Sequence, residues 1–404
     1  MPEKKPALDR VRVSGPLASF ADGFGECLIE RGYSLWTVQH QLQLLAHASR
    51  WMDGVGLDVA GLTPAAVERF LAERRRAGYA TKVGRGALRP LIGYLDSLGV
   101  LPAVADPVLT AVDELLDAFC SYLLVERGLA SGSVALYGPV ARMFLEERSA
   151  PLGEDLARLS GAEVKAFVLR HAGRRGVRSA ETMVCALRAL LRFLHVHGWI
   201  ATPLVGAVPS VARRREDLPR GLAAEQVALL LVSCDRATTL GRRDFAILTL
   251  LARLGLRAGE VAALALDDID WRAGEIVVHG KGSRIDRLPL PADVGEAIVD
   301  YLRYGRPRRY GRALFLRSCA PLTGLSNRGV SAVVFSACGR AGIEPVRAHR
   351  LRHSVACELL RRGAGLTEIG QVLRHQRAQT TSVYAKVDRS ELSSLALPWP
   401  GGES

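Results

Sequence analysis

The chain has 404 residues, 49% of them hydrophobic, with Lys+Arg 54 against Asp+Glu 41, a net charge of +13 and a pI near 9.8. That length is too great for one ordinary domain and predicts two or three, with apolar residues ample for their cores. So basic a balance favours an acidic partner, nucleic acid or an anionic membrane surface; no uncharged apolar run of about 18 residues is present, so no membrane span is expected.

Seven cysteines, at positions 27, 120, 185, 234, 319, 338 and 357, are odd in number and form no C-x-x-C pair. They argue against a disulfide framework or a zinc site and for a reducing compartment. The opening MPEKKPALDR has no apolar run after its lysines, so a signal peptide is not expected and a cytoplasmic location is. Lysine is scarce: Lys4, Lys5, Lys82, Lys165, Lys281 and Lys386 are all there are. Where a lysine stands at a catalytic position, arginine is therefore not a simple replacement for it.

Residues 1–20 read as a flexible N-terminal tail. From there to about 207 the chain reads as two copies of one helical unit, over 21–107 and 110–207. Glu30-Arg31-Gly32 matches Glu126-Arg127-Gly128, an offset of 96. Apolar stripes follow, Val38, Leu42, Leu45 and Met52 in one and Val134, Tyr137, Ala141 and Phe144 in the other. Leu62-Thr63, Val67 and Phe70 match Leu159-Ser160, Val164 and Phe167 at an offset of 97. Ala87-Leu88-Arg89, Leu91, Leu95 and Gly99 match Ala186-Leu187-Arg188, Leu190, Leu194 and Gly198 at 99. The drift fits small loop insertions. Whether the first copy touches DNA or another subunit is left open by the sequence.

Residues 208–221 read as a basic linker in which Arg213, Arg214 and Arg215 can track phosphates, or form a solvated loop. Leu222 begins a helical pattern with Val227, Leu230 and Leu231 on one side, and a second apolar helix runs from Phe245 to Leu254. Gly255 then punctuates, and the next helix is expected to start close to Arg257. A guanidinium beside a helix N-terminus makes a phosphate site, because the free N–H groups and the dipole act in the same sense. Glu260, one turn on, is read as a supporting carboxylate that holds an arginine or histidine in place. Glu275–His279 and Arg284–Leu290, around Gly280-Lys281-Gly282, read as a β-hairpin with Lys281 at its tip. Residues 327–342 read as a helix burying Val330, Val333, Val334 and Ala337.

The stretch from His349 to Tyr384 is the most informative. His349 and Arg352 lie three apart, hence on one helical face, while Leu351, Val355 and Leu359 recur on the buried side. Gly363 and Gly365 break that helix; Thr367 can cap the next, whose stripe is Ile369, Val372 and Leu373 and which delivers His375. Thr380 and Thr381 open a third short helix from which Tyr384 projects. His349 and His353, four apart, invite a zinc reading, but no H-E-x-x-H glutamate follows, so no metal is expected and His353 is read as an orienting residue.

The pattern His-x-x-Arg-His, Leu-x-x-x-Gly, Ile-x-x-x-Leu-x-His and a tyrosine nine residues on resembles the tyrosine recombinases, or phage integrases. Arg257 and the Lys281 hairpin stand upstream in the order that family uses. The resemblance implies a mainly α fold with a small antiparallel β-sheet in the catalytic domain. Two tandem helical core-binding-like (SAM-like) domains would be followed by an integrase-type catalytic domain over 222–398 and a tail at 399–404. It implies a catalytic set of Arg257, Lys281, His349, Arg352, His375 and Tyr384, with Glu260 and His353 behind it, and neither metal nor ATP. It implies double-stranded DNA as partner, a tetramer on two DNA sites, a 3′-phosphotyrosyl intermediate, and accessory or companion recombinases as further partners. One position departs from the pattern: Arg374 stands where the family has glycine, and is read as an added DNA contact or as pointing away. An extra helical module suggests a mobile element. Two rivals are kept: a type IB topoisomerase-like enzyme, and a DNA-binding protein with a silent site.

Overall fold

A computed structural model describes residues 11–102, 109–173, 175–211, 221–280, 284–308, 310–374 and 381. The chain forms two compact units. One combines residues 1–103 with 217–280 and 285–404, and the other is built on 104–216. The described residues are mostly helical, with one three-stranded antiparallel sheet.

The first helical module holds α1 (Ala21–Glu30), α2 (Leu35–Gly54), α3 (Pro64–Arg76) and α4 (Arg85–Ser97). Ser34 and Thr63 cap α2 and α3 by accepting from the N–H groups of Thr37 and Ala66. The apolar stripes meet in one core of Phe24, Leu28, Leu45, Met52, Phe70 and Leu95. Each such side chain, fully buried, contributes about 1.5–3 kcal/mol against exposure. The expected tail is corrected here for residues 11–20. Leu17 is completely buried and its N–H donates to Ser49 Oγ at 3.0 Å, while Val11 and Val13 pack on the same core. Leu17, Ala21, Phe24 and Leu28 fall at helical spacing, so the first apolar stripe runs back across the boundary set at residue 20. Residues 1–10 lie outside the described residues.

This module touches the segment that follows residue 217. Leu322 N–H donates to Arg31 O at 3.0 Å, and Gly32 (φ +82°) sits where an added Cβ would strike the Leu322 side chain. Glycine is required twice there, by the left-handed backbone and by the close approach.

The second module repeats the order with α5 (Ala111–Val125), α6 (Ser131–Glu146), α7 (Leu152–Ala157), α8 (Gly161–Ala172) and α9 (Val177–Val196). Its core is Phe119, Ala141, Phe144, Phe167, Leu187, Leu190 and Leu194. Ser160 caps α8 as Thr63 caps α3, with Glu163 reaching back to the Ser160 N–H. The expected linker starts too early: Val208 is buried in this core and its carbonyl accepts from Arg188 Nη2 at 3.0 Å. Arg213, Arg214 and Arg215 lie outside the described residues.

The remaining segment holds α10 (Ala224–Val232), α11 (Thr239–Arg253), α12 (Ala258–Ala263), then β1 (Ile269–Asp270), β2 (Glu275–His279) and β3 (Ile285–Pro289), then α13 (Ala292–Tyr304), α14 (Asn327–Arg340), α15 (His349–Arg361) and α16 (Leu366–Val372). The strands run in sequence order, antiparallel, with Ile269 opposite Ile276 and Val277 opposite Arg287. Ile276 and Val278 point into the core, as alternation requires. α11 lies at the centre, with Ala246, Ile247, Leu250 and Leu251 fully buried. Arg306 closes the loop after α13 by donating to the carbonyls of Gly311 and Ala313, both at 2.8 Å.

Candidate active site

α12 starts at Arg257, as expected. Gly255 takes φ +56° and turns the chain out of α11. Arg257 is the cap residue in extended backbone, and its N–H is accepted by Glu260 Oε2 at 2.9 Å. The Arg257 side chain then folds onto the same carboxylate, Nη1 to Oε1 at 2.6 Å. Glu260 is 5% exposed, whereas the Arg257 side chain is 40% exposed. One edge of the guanidinium is thus fixed from inside while the rest faces outward, as an anion-binding fork at a helix N-terminus requires.

Arg352 lies in the first turns of α15 and is 1% exposed. Its Nη1 donates to Gly255 O at 2.6 Å and its Nη2 to Leu373 O. One planar side chain therefore joins the turn before Arg257 to the C-terminal end of α16. The contact is close on the apolar side too, since a Cβ on Gly255 would lie 2.8 Å from the Leu373 side chain.

Arg374 follows α16 and takes φ +54°, the left-handed conformation that favours glycine. Read from the sequence as a DNA contact or as pointing away, it is turned inward: 6% exposed, with Nη2 donating to Glu260 Oε2 at 2.7 Å. Its Nε lies 3.8 Å from Asp286 on β3, and Nε and Nη1 have no hydrogen-bond partner among the described residues. Burial pushes this guanidinium below its usual pKa, and the Glu260 carboxylate opposes that shift. The non-glycine residue in a left-handed turn costs about 1–2 kcal/mol, and the bond to Glu260 holds its side chain inward there. Arg257, Glu260, Arg352 and Arg374 thus converge, and Asp286 and the Gly255 carbonyl join them unforeseen. The positive φ at Arg374 falls where the tyrosine recombinase pattern has glycine, the one sequence signal that could have marked a turn rather than a contact.

His349 is exposed at the first position of α15, and its ring meets that of His353 edge-on, centroids 4.5 Å apart. Among the described residues no group of three or more His, Cys, Asp or Glu side chains is placed to hold a metal ion. The expected hairpin is β2–β3. Beside its turn His279 Nε2 lies 2.8 Å from Asp268 Oδ1, while Asp268 Oδ2 accepts the Ala265 N–H. Two details of the last stretch are corrected. Thr367 is not a cap: Gly365 is, because Glu368 reaches back to its N–H at 2.9 Å and places Thr367 inside α16. Val372 is 45% exposed, while Ile369 and Leu373 are fully buried. Lys281, His375 and Tyr384 lie outside the described residues; His375 is the residue after Arg374.

No helix among the described residues is long and apolar enough to cross a membrane. The phage integrase family model matches residues 220–391. The protein y4rA of Sinorhizobium fredii (strain NBRC 101917 / NGR234), named as an integrase/recombinase, is 41% identical over 394 residues, covering 96% of this chain and 95% of that one. The tyrosine recombinase XerD of Listeria monocytogenes serotype 4b is 29% identical over 294 residues, 70% of this chain and 97% of XerD. Among solved structures, XerH site-specific recombinase bound to its palindromic difH substrate shares the fold, with a TM-score of 0.55 at 18% identity over 82% of this chain and 94% of that one. With such identity along nearly the whole of y4rA, the chain belongs to the phage integrase family, the tyrosine recombinases, and is a DNA strand-exchanging enzyme.

Proposed function

We propose that the protein is a site-specific recombinase that cuts and rejoins DNA through a 3′-phosphotyrosyl bond at Tyr384. The observation that carries this reading is the convergence of Arg257 and Arg352 through Glu260 and the carbonyls of Gly255 and Leu373, immediately before His375. Two permanently charged forks at one locus suit a phosphodiester whose charge grows in the transition state.

In the proposed step the Tyr384 oxygen bonds to phosphorus and the bond to the 5′ oxygen breaks. An unperturbed phenol has a pKa of about 10, so its proton must be drawn off; His349, exposed at the start of α15, takes it directly or through a phosphate oxygen. Lys281 gives a proton to the departing 5′ oxygen, which arginine does not release near neutral pH. His375 donates to a phosphate oxygen. The phosphotyrosyl bond keeps the energy of the broken one, so a 5′ hydroxyl from a second strand reverses the step with neither ATP nor a metal ion. Glu260 and Arg374 position Arg257. Four protomers on two double-stranded DNA sites perform the exchange in the cytoplasm, and a mobile element is the proposed source of the gene.

A duplex nicked next to the cleavage position tests this. The protein is expected to remain on the 3′ end and leave a 5′ hydroxyl that a polynucleotide kinase can label. A 5′-linked adduct contradicts the mechanism. Relaxation of a supercoiled circle by a lone protomer, with no joining of two sites, favours the topoisomerase-like rival.

A further inference from the structure

The first helical module carries a site of its own. His47 and Arg50 of α2 and Phe70 and Arg74 of α3, with Tyr79 beyond α3, line an open cleft of about 220 Å³. Arg74 is 8% exposed. Its Nη1 lies 2.8 Å from His47 Nδ1, its guanidinium carbon stands 4.0 Å from the centre of the Tyr79 ring, and its Nε has no hydrogen-bond partner among the described residues. Arginine only donates, so His47 Nδ1 accepts and the ring is neutral; burial, then Arg74 and Arg50, push its pKa down.

No carboxylate pairs with Arg74 among the described residues. Glu73, in the same cleft, accepts instead from Trp51 Nε1. Lys82 adds a further cation, its Nζ donating to His40 O at 2.7 Å, and burial and Arg74 together lower its pKa. A buried cation without an anion is costly, and the Tyr79 face and the C-terminal end of α3 offset only part of that cost. The second module shows the usual solution: Arg148, with 8% of its side chain exposed, faces Glu163 at 3.3 Å and Asp155 at 3.9 Å. Around the first module's cleft positive charge predominates, since residues 68–89 hold seven basic side chains and two acidic, Glu68 pairing with Arg85. Arg75, Arg76, Arg85 and Arg89 of that stretch are exposed.

We propose that the Arg74 cleft is a phosphodiester site by which the first helical module grips the backbone of duplex DNA. The identification of the anion as DNA rests on the strand-exchange reading; the call for an anion rests on Arg74 itself. Arg74 supplies the charge inside and Arg50 and Lys82 the rim, while the exposed arginines beside them extend the contact along the strand.

The test uses the full-length chain and a 50-base-pair duplex, with affinity measured by fluorescence anisotropy over a series of salt concentrations. Arg74→Met keeps the apolar bulk and removes the charge; Arg50→Gln with Lys82→Gln alters only the rim, should the first variant fold poorly. The double variant is expected to bind about tenfold more weakly near 0.1 M salt and to lose about two units of the log–log salt slope, Arg74→Met about one. Unchanged affinity and slope in both overturn the proposal. So does stabilisation of the wild type, but not of Arg74→Met, by millimolar inorganic phosphate with no change in DNA binding, which makes the cleft a small-anion site. Covalent attachment to the nicked duplex is scored separately. If the wild type never attaches, strand exchange fails as a reading, while the salt slopes still decide whether this cleft holds DNA.

Discussion

Val67, Phe70 and Leu95 are buried in the first helical module as Val164, Phe167 and Leu194 are in the second, and Thr63 caps its helix as Ser160 does. The charges have not followed the same path. In the second module Arg142 pairs with Asp113, Arg148 with Glu163, and Arg170 with Glu147. In the first, Arg85–Glu68 is the ion pair among the described residues, and the buried Arg74 has none. The Glu-Arg-Gly turns differ as well. Gly32 is pressed against Leu322, whereas Gly128 has nothing within 4 Å of an added Cβ. Apolar spacing fixes what a helical unit is; the charged residues, which hardly affect that packing, are free to diverge towards different contacts.

The equivalence of the cores is the part with the largest consequence. Phe167→Ala and Phe70→Ala should each destabilise by about 3–5 kcal/mol, read by chemical denaturation, and a silent change at either position breaks the equivalence. The contrast in charge extends to the active site, where Arg374 is as buried as Arg74 but has Glu260. Glu260→Gln should cost about 3 kcal/mol, because it leaves Arg374 buried without its anion. A neutral outcome there means that the pair does not hold the turn. A smaller effect separates the modules directly. Arg148→Met should lower stability by about 1 kcal/mol, its partners being half in water, while Arg74→Met should not lower it at all, since a methionine needs no counter-charge. A large loss at Arg74 contradicts the absence of compensation.

The smallest effect is in pH. The Thr110 hydroxyl, then the Arg142 guanidinium, hold the Asp113 carboxyl down at about 2. A carboxylate depressed on folding adds stability above its unfolded pKa of about 3.9, and that contribution disappears as pH falls towards 2. Asp113→Asn should therefore lower the melting temperature at pH 7, flatten its profile between pH 4 and 2, and meet the wild type near pH 2. An unchanged acid limb means that the bond to Asp113 survives in the unfolded chain.

Much of this was legible from local rules. Gly255 followed by Arg257 and Glu260 announced a capped helix, and period-two alternation announced β2 and β3. What escaped depends on residues far apart in the chain. Nothing near Arg374 says that Glu260, 114 residues earlier, will draw its side chain inward. Ser49 on α2, 32 residues on, accepts the Leu17 N–H and ties the segment before α1 to the core. Thr367 looks like a cap until Glu368 claims the Gly365 N–H one turn earlier.

The central claim is that Tyr384 attacks a phosphodiester clamped by Arg257 and Arg352. Incubating the wild type and Tyr384→Phe with the nicked duplex, then digesting the adduct and sequencing the DNA-linked peptide, addresses it most directly. The wild type is expected to give a DNA-linked peptide containing Tyr384, and the variant to bind DNA with unchanged affinity yet form no adduct. An adduct on any other residue, or one that persists in Tyr384→Phe, contradicts it.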